Sequence, residues 1–415
     1  MSADLTGKFT QFGFLFLCGL FFSMTFSKGL AQTFGCLAVL SAAVVLVRNK
    51  NYRQLVQFDT YYILIILYVA WSILAGILGS DPSRSFKILR DDWLFLLIPG
   101  MAILLSSEKK LGWIIRILAL SSILISLYAL WQHFSGIDLY RGTDLFPAPT
   151  RGFRAIGFFA NTMTFGNIFV IVSLFFLGAG SCIAGLRDKA LLYTAFFLSA
   201  AGGLMSYGRG PLIALSAGLI VYLILIGRKY YKTVLPIMAG LLICIWFFVP
   251  GILSRHINEM ETELKGTYAG SRFAIWRSAG RMIEDNPVFG VGPGNIGRAY
   301  PDYRDPGSNR VYTHVHNDIL NIACHTGIPS VLLYLGIWAA IFWKIRKFIT
   351  DRSINALPKS VAAGVLLASV VFWVTSLYEA SFDDLEIRIL LISLWGLFYA
   401  AMAYVKRKPK TADYI

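Results

Sequence analysis

Apolar runs long enough, or nearly long enough, to cross a bilayer recur along the whole 415-residue chain. They predict twelve spans, at roughly 9–27, 30–47, 59–79, 92–106, 111–132, 157–181, 190–206, 211–227, 233–250, 329–344, 360–379 and 387–405. Backbone groups inside a bilayer must be satisfied within the chain, and runs of this length do so as helices. The pattern predicts an all-α polytopic membrane protein, residues 1–415 forming one domain. The connections are short except at 133–156 and at 251–328, and the second is expected to be a long, partly helical loop. Residues 10–27 are apolar without a small-residue cleavage site and read as a first span, not a signal peptide. No repeat of fixed period is visible.

Composition agrees: 56% of residues are hydrophobic, 15% are charged and the mean hydropathy is +0.63. A net charge of +15 could suggest nucleic acid, but in a membrane protein basic cytoplasmic loops are the first expectation. No nucleic-acid partner is expected; membrane lipids are. The five cysteines form no CxxC or paired pattern, so neither a disulfide nor a zinc framework is indicated.

Loop charge predicts the orientation. With the N-terminus inside, the segments around Arg48–Arg53, Lys109–Lys110, Arg187–Lys189, Arg228–Lys232, Lys344–Lys359 and Lys406–Lys410 are all cytoplasmic. With Lys8 before the first span, the inside segments hold 13 Lys and 7 Arg; the outside ones hold 3 Lys and 14 Arg. Arginine keeps its charge and grips phosphate or carboxylate with a fork, so the outer face is expected to hold an anion. Pairing of these arginines with nearby acids or lipid headgroups is the structural alternative. Of charges inside spans, Arg116 stands out.

Both long loops and all five histidines fall on the outer side. The polar stretch Thr313-His314-Val315-His316-Asn317 runs on to Gly327-Ile328-Pro329. A helix over 315–326 would put His316, in its first turn, on the packed side, with Asp318, Asn321 and His325 on the other, solvated side. The positive end of the helix dipole favours neutral imidazole there, the form a general base needs. Gly327 can end that helix, and Pro329 cannot continue it. His314 and His316 could also form a metal pair, but no third ligand is obvious and no metal is expected.

Three arginine motifs accompany the histidines. Arg209 lies between Gly208 and Gly210, with Pro211 suited to the first turn of the next helix. Gly270 to Asn286 reads as an amphipathic helix closed by Asn286-Pro287, with Arg272 at its start, Arg277 and Arg281 four apart, and Phe273, Trp276, Gly280 and Ile283 along one side. Gly290-Val291-Gly292-Pro293-Gly294 lacks the Lys-Ser/Thr ending of a phosphate loop and is expected to be a tight turn that lets backbone come close to something. Arg151 and Arg154 stand beside Phe153, Phe158 and Phe159 and suit a phosphate carrying a lipid or sugar.

Together these motifs resemble the O-antigen ligase and polymerase family, bacterial membrane glycosyltransferases that use undecaprenyl-diphosphate-linked glycans. The family's histidine signature reads here as His316-Asn317, nine residues, then Gly327-Ile328-Pro329-Ser330, with Ser330 where the family has glycine. Its Arg-x-x-x-Leu motif reads as Arg209 with Ile213 at the leucine position. Its arginine before aromatics and a Pro-x-x-Gly-x-Gly turn matches Arg272, Trp276 and Pro287 to Gly292.

The resemblance implies a cofactor-free, metal-independent, inverting transferase at the periplasmic face of a bacterial inner membrane. His316 is then the base, and Arg209 and Arg272 hold the diphosphate. Arg151, Arg154, Arg277, Arg281, Asn317 and His314 are expected around the substrate. The length and the position of the histidine motif lean towards a ligase, which delivers O-antigen from undecaprenyl diphosphate to lipid A–core. An O-antigen polymerase and a protein O-oligosaccharyltransferase are the alternatives within the family. A flippase or transporter of lipid-linked glycan would call for charges within the spans and broken helices.

Overall fold

The computed structural model describes residues 2–49, 60–148, 151–225, 272–305 and 310–407. The chain is an all-α polytopic membrane protein, with a single two-stranded hairpin (Ile137–Asp138 with Thr143–Asp144) among the described residues. Eight described helices are long and apolar enough to cross a membrane. They are α1 (Ser2–Ser23), α2 (Lys28–Arg48), α3 (Thr60–Leu78), α6 (Glu108–Ser135), α7 (Thr162–Cys182), α12 (Asp318–Thr350), α13 (Ala356–Ser376) and α14 (Leu385–Arg407).

Three further predicted spans are helical but shorter or more polar. The expected span at 92–106 is a 3-10 segment (Arg90–Leu96) running into α5 (Leu97–Leu104), preceded by α4 (Pro82–Leu89). The other two are α8 (Leu186–Leu204) and α9 (Arg209–Leu225). The expected span at 233–250, and the first part of the long loop to 271, lie outside the described residues. The rest of that loop is partly helical, with α10 (Arg272–Asp285) and α11 (Ile296–Tyr303).

The helix α7 is the axis of the bundle: every residue from Phe165 to Gly180 is buried. It packs on α8, α9 and, most extensively, α13. Small residues make that approach possible. A Cβ on Gly178 would lie 2.4 Å from the Ala363 carbonyl oxygen, and one on Gly364 would lie 2.7 Å from that of Phe175. One buried ion pair inside the bundle was not expected. Arg388, counted above among the outer arginines, is buried in the first turn of α14 and paired with Asp92.

Of the basic segments, the described residues Lys110, Arg116 and Arg407 lie at one end of the bundle. There Lys110 Nζ donates to the Leu104 carbonyl (3.1 Å), Arg407 to that of Ala102 (2.6 Å), and Arg116 forks onto Asp188 (2.8 and 2.9 Å). The starts of α7, α9, α12 and α14 lie at the opposite end, with the histidine and arginine motifs.

At that opposite end α10, α11 and the start of α12 share a small core of their own, containing Ile275, Met282, Ile296, Tyr300, Val315 and Cys324. The buried face of α10 is Ala274, Ile275, Ser278, Ala279 and Met282, offset from the Phe273–Trp276–Gly280–Ile283 side read from the sequence. The offset arises because Gly280 faces open space and Phe273 is partly exposed.

The glycine turn after α10 closes on the chain itself. Val291 and Gly292 donate their N–H groups to the carbonyls of Cys324 and His325 (2.8 and 3.0 Å), and Ile328 donates to Pro287 (2.8 Å). Gly327, at φ 80°, breaks α12 into two helices, so the histidine motif ends on a glycine and restarts at Pro329. A Cβ there would lie 1.9 Å from the Val288 carbonyl oxygen. Gly327→Ala therefore meets both a left-handed backbone and a backbone clash. It should cost more than about 2 kcal/mol and lower the apparent melting temperature in detergent. Gly280→Ala, on an open helix face, should instead be neutral or stabilising by up to ~1 kcal/mol. Equal behaviour of the two would refute the clasp.

Candidate active site

The site is assembled around the turn between α13 and α14. The helix α13 ends at Ser376, three residues before the expected end of the span at 379, which frees Glu379 from the helix. Residues from two other places strap the turn down. Asn317 Nδ2 donates to the Leu377 carbonyl (3.1 Å), Arg272 Nε donates to that of Tyr378 (3.1 Å), and the Asp318 carboxylate accepts from the Phe382 N–H (2.9 and 3.1 Å).

Glu379 is the hub. One carboxylate oxygen takes a hydrogen bond from Arg272 Nη2 (3.2 Å), and the other lies 2.9 Å from His316 Nδ1. Burial alone would push its carboxyl up. The hydrogen bond from His316 and the charges of His316 and Arg272 outweigh that and hold it below the usual glutamate range. Glu379 is then a carboxylate and can only accept, so a neutral His316 must carry its proton on Nδ1. Nε2 is left with a lone pair.

His316 is not in the first turn of a helix. Asn317 is the N-cap, its side chain accepting from the Leu320 N–H (3.0 Å), and α12 starts at Asp318. His316 sits before the cap with φ 53°. A left-handed histidine costs about 1–2 kcal/mol and has to be held by its surroundings. Val315 is fixed on both sides, its N–H donating to Asn321 Oδ1 (3.1 Å) and its carbonyl accepting from Trp276 Nε1 (3.0 Å). The face of α12 expected to be solvated is buried too: Asp318, Asn321 and His325 are each under a tenth exposed. The chain around them explains this. Asp318 binds the 377–384 turn, Asn321 the Val315 backbone, and His325 Nδ1 accepts from Gly294 N–H (3.1 Å).

His314 packs edge-on against His316, ring centres 4.2 Å apart. Burial first, then the neighbouring His316, holds its imidazole below the ordinary value, so it stays neutral near pH 7. His314, His316 and Glu379 each offer a ligand atom within 4.8 Å of the others, so Glu379 supplies the third metal-capable group that the sequence did not reveal. Both its oxygens are already engaged by cationic or N–H groups, and a guanidinium beside the site opposes a metal ion. The donor set fits an ion-paired carboxylate better than a metal centre.

The arginines separate into two groups. Arg209 opens α9, and the next residue, Gly210, lies against the Tyr378 ring, where a Cβ would be 2.1 Å from Cε2. Arg209 and Arg272 thus approach the same turn from two helices. The segment with Arg151 and Arg154 is pinned to the turn before Arg209: Ala155 donates to the Met205 carbonyl (2.9 Å), and Tyr207 Oη to that of Arg151 (2.9 Å). Arg277 and Arg281 instead converge on Asp305 (2.6 and 2.7 Å), whose carboxyl they hold below the usual range, Arg281 foremost. They do not reach the Glu379 turn; they fasten α10 to the end of α11.

An open cavity of about 400 Å³ lies beside His316, between the starts of α7 and α14. His314, Glu379, Asn161, Thr164, Asn167 and Asp383 help line it, whereas Arg209, Arg272, Arg151 and Arg154 do not. Glu379 and this cavity were missed from the sequence because an acid at a predicted span end looked like a boundary residue. The acids Glu379, Asp383, Asp384 and Glu386, grouped in a short outer connection, were the available signal.

Residues 194–335 match the O-antigen ligase family. The matched segment, under half of the chain, carries Arg209, Arg272 and His316 but ends before Glu379. The chain is also similar to the teichuronic acid biosynthesis protein TuaE of Bacillus subtilis (strain 168), 25% identical over 188 residues. That likeness covers 43% of this chain and 38% of the length of the relative. The family reached from the motifs is therefore the one the comparison finds.

The ion-paired Glu379 has a measurable signature. A carboxyl depressed in the fold adds stability above its ordinary value of 4.5 and loses it as pH falls through the lower folded value. Acidifying below about pH 4.5 should therefore lower the apparent melting temperature of the parent more than that of Glu379→Gln. Parallel curves would mean that the carboxylate is not ion-paired.

Proposed function

We propose that the protein is an O-antigen ligase-type glycosyltransferase. In this reading it moves a glycan from undecaprenyl diphosphate to a sugar hydroxyl of lipid A–core at the periplasmic face of a bacterial inner membrane. The observation that carries the reading is the pairing of His316 and Arg272 through one carboxylate, with Gly210, the neighbour of Arg209, packed against Tyr378 of the same turn. That combination suits a displacement in which a base and an anion site act together.

The acceptor hydroxyl gives its proton to His316 Nε2, and its oxygen forms a bond to the donor's anomeric carbon. The bond from that carbon to the diphosphate oxygen breaks, and the electron pair leaves with undecaprenyl diphosphate. Attack from the face opposite the leaving group inverts the anomeric configuration. Arg272 and Arg209 stabilise the charge that grows on the diphosphate. Glu379 holds the Nδ1 proton, steadies the imidazolium that forms, and fixes the Arg272 guanidinium. No metal or nucleotide takes part, since the lipid diphosphate carries the activation. His314 and Asn317 adjoin His316 and shape the approach; Arg151 and Arg154 are assigned to the donor side, since their segment is pinned to the turn before Arg209; Arg277 and Arg281 are assigned to structure. Polymerase chemistry differs only in its acceptor, a second lipid-linked unit, and the name of the Bacillus relative keeps that reading alongside the first.

Purified protein, given lipid-linked donor and lipid A–core, tests the assignment. His316→Asn keeps a residue that accepts positive φ and removes the base; transfer should fall by roughly 100-fold or more while donor binding persists. Arg272→Lys should also impair turnover, because a point charge cannot both fork and hold Glu379. Arg277→Lys should be much milder. Chelator should have no effect. Near-normal transfer by His316→Asn, or inhibition by chelator reversed by zinc, would defeat the mechanism. Product formed only on lipid-linked glycan would replace ligase by polymerase.

A further inference from the structure

The charges around His316 are divided between two sides. Arg272 approaches Glu379 from α10, and Arg209 opens α9 next to Tyr378. The 400 Å³ cavity lies on the other side, against α7 and the start of α14, and among the described residues no arginine or lysine lines it. Its lining carries Glu379, Asp383 and Asp384. Asp384 is committed to structure, since Oδ1 caps α14 through the Glu386 N–H (3.0 Å) and Oδ2 accepts from Thr164 (2.6 Å). Asp383 is different. Its carboxylate is 37% exposed, and His325 Nε2 is 3.9 Å away, beyond hydrogen-bond reach.

A second observation points to a ligand. Asn167, 1% exposed, lines the cavity from the second turn of α7, and its Oδ1 is buried with no hydrogen-bond partner. A buried amide oxygen left unpaired costs about 1–3 kcal/mol, so such an atom is normally matched by a donor. The missing partner is a donor, and Asp383 adds a further acceptor at the mouth. A phosphate offers only acceptors and negative charge and is repelled by three carboxyl groups. A sugar hydroxyl offers the donor that Asn167 lacks.

We propose that this cavity is the acceptor subsite: it binds an uncharged, hydroxyl-bearing sugar residue through Asn167 and Asp383 and presents one hydroxyl to His316. The inference rests on the glycosyltransferase reading above and adds its direction: the acceptor enters from the α7–α14 side and the diphosphate from the α9–α10 side. It also adds a selectivity: the residue that is glycosylated carries no phosphate, whatever phosphates lie elsewhere on the acceptor.

Acceptor and donor are varied separately in detergent with the full-length protein. Asp383→Asn, Asp383→Ser and Asn167→Ala should each raise the KM for lipid A–core about tenfold or more and leave the donor KM within about threefold. Methyl glucoside at millimolar concentration should compete with the acceptor in the parent, and glucose 6-phosphate should not. Three results would overturn the subsite: donor KM rising instead of acceptor KM, glucose 6-phosphate competing as well as the glucoside, or one zinc ion bound per chain and lost in Asp383→Asn. If Asn167→Ala does not fold, Asp383→Ser and the competition decide. A parent that transfers nothing from lipid-linked donor defeats the functional reading itself. A parent that transfers while the Asp383 variants keep the parental acceptor KM defeats only the subsite.

Discussion

One half-buried carboxylate organises the functional end of this protein. Arg272 and His316 meet the two oxygens of Glu379, at 3.2 and 2.9 Å, and hold it ionised against the cost of its partial burial. Each partner comes from a different part of the chain: Arg272 from the start of α10, His316 from the loop before α12, Glu379 from the turn after α13. The pair contacts thus lock three segments that are distant in sequence. The same contacts select the imidazole tautomer and hold the guanidinium in place. Structure and proposed chemistry therefore depend on one set of bonds, and losing either partner leaves a half-buried charge with less to offset its burial.

The rest of the end is built to hold that hub still. The Asn317 amide caps α12 with its oxygen and grips Leu377 with its nitrogen, which is a use for asparagine beside the histidine that a helix cap alone would not require. Asp318 accepts from Phe382, so the first residues of α12 fix both ends of the turn carrying Glu379. At the far end of the same helical segment, Gly327 is clasped by the turn at 287–292. The spacing from His316 to Gly327 is thereby set by packing at both ends. Ser330, where the related family has glycine, is buried and donates to the Gly327 carbonyl (2.9 Å), a bond that the restarted helix supports.

Much of this was readable from the residues. Long apolar runs specify helices because nothing else satisfies a backbone in lipid, so the all-α class and the eight long spans followed from hydropathy alone. Gly327-Ile328-Pro329 announced a helix break, and Asn286-Pro287 ended α10 as its chemistry requires. Other parts were not local properties. His316 was placed inside a helix because periodicity cannot distinguish a first turn from a left-handed residue before a cap. His325 and Asn321 were put on a wet face because their partners, Gly294 and Val315, come from chain outside the helix. Arg277 and Arg281 resembled Arg272 in sequence, and only Asp305, brought in by α11, sets them apart. Glu379 lies 63 residues from His316, a separation at which pairing is visible only once the helices have packed.

The central claim is that His316 and Glu379 act as one unit in transfer. A double-mutant cycle on the transfer rate measures this directly, with His316→Asn, Glu379→Gln and the combined variant assayed at saturating donor and acceptor. If Glu379 acts mainly through His316, the combined variant should be no slower than His316→Asn by more than about threefold, because the base it orients is gone and Arg272 keeps its bond to the Tyr378 carbonyl. Losses that multiply, with the combined variant slower by the product of the single effects, would contradict the account and make Glu379 an independent contributor.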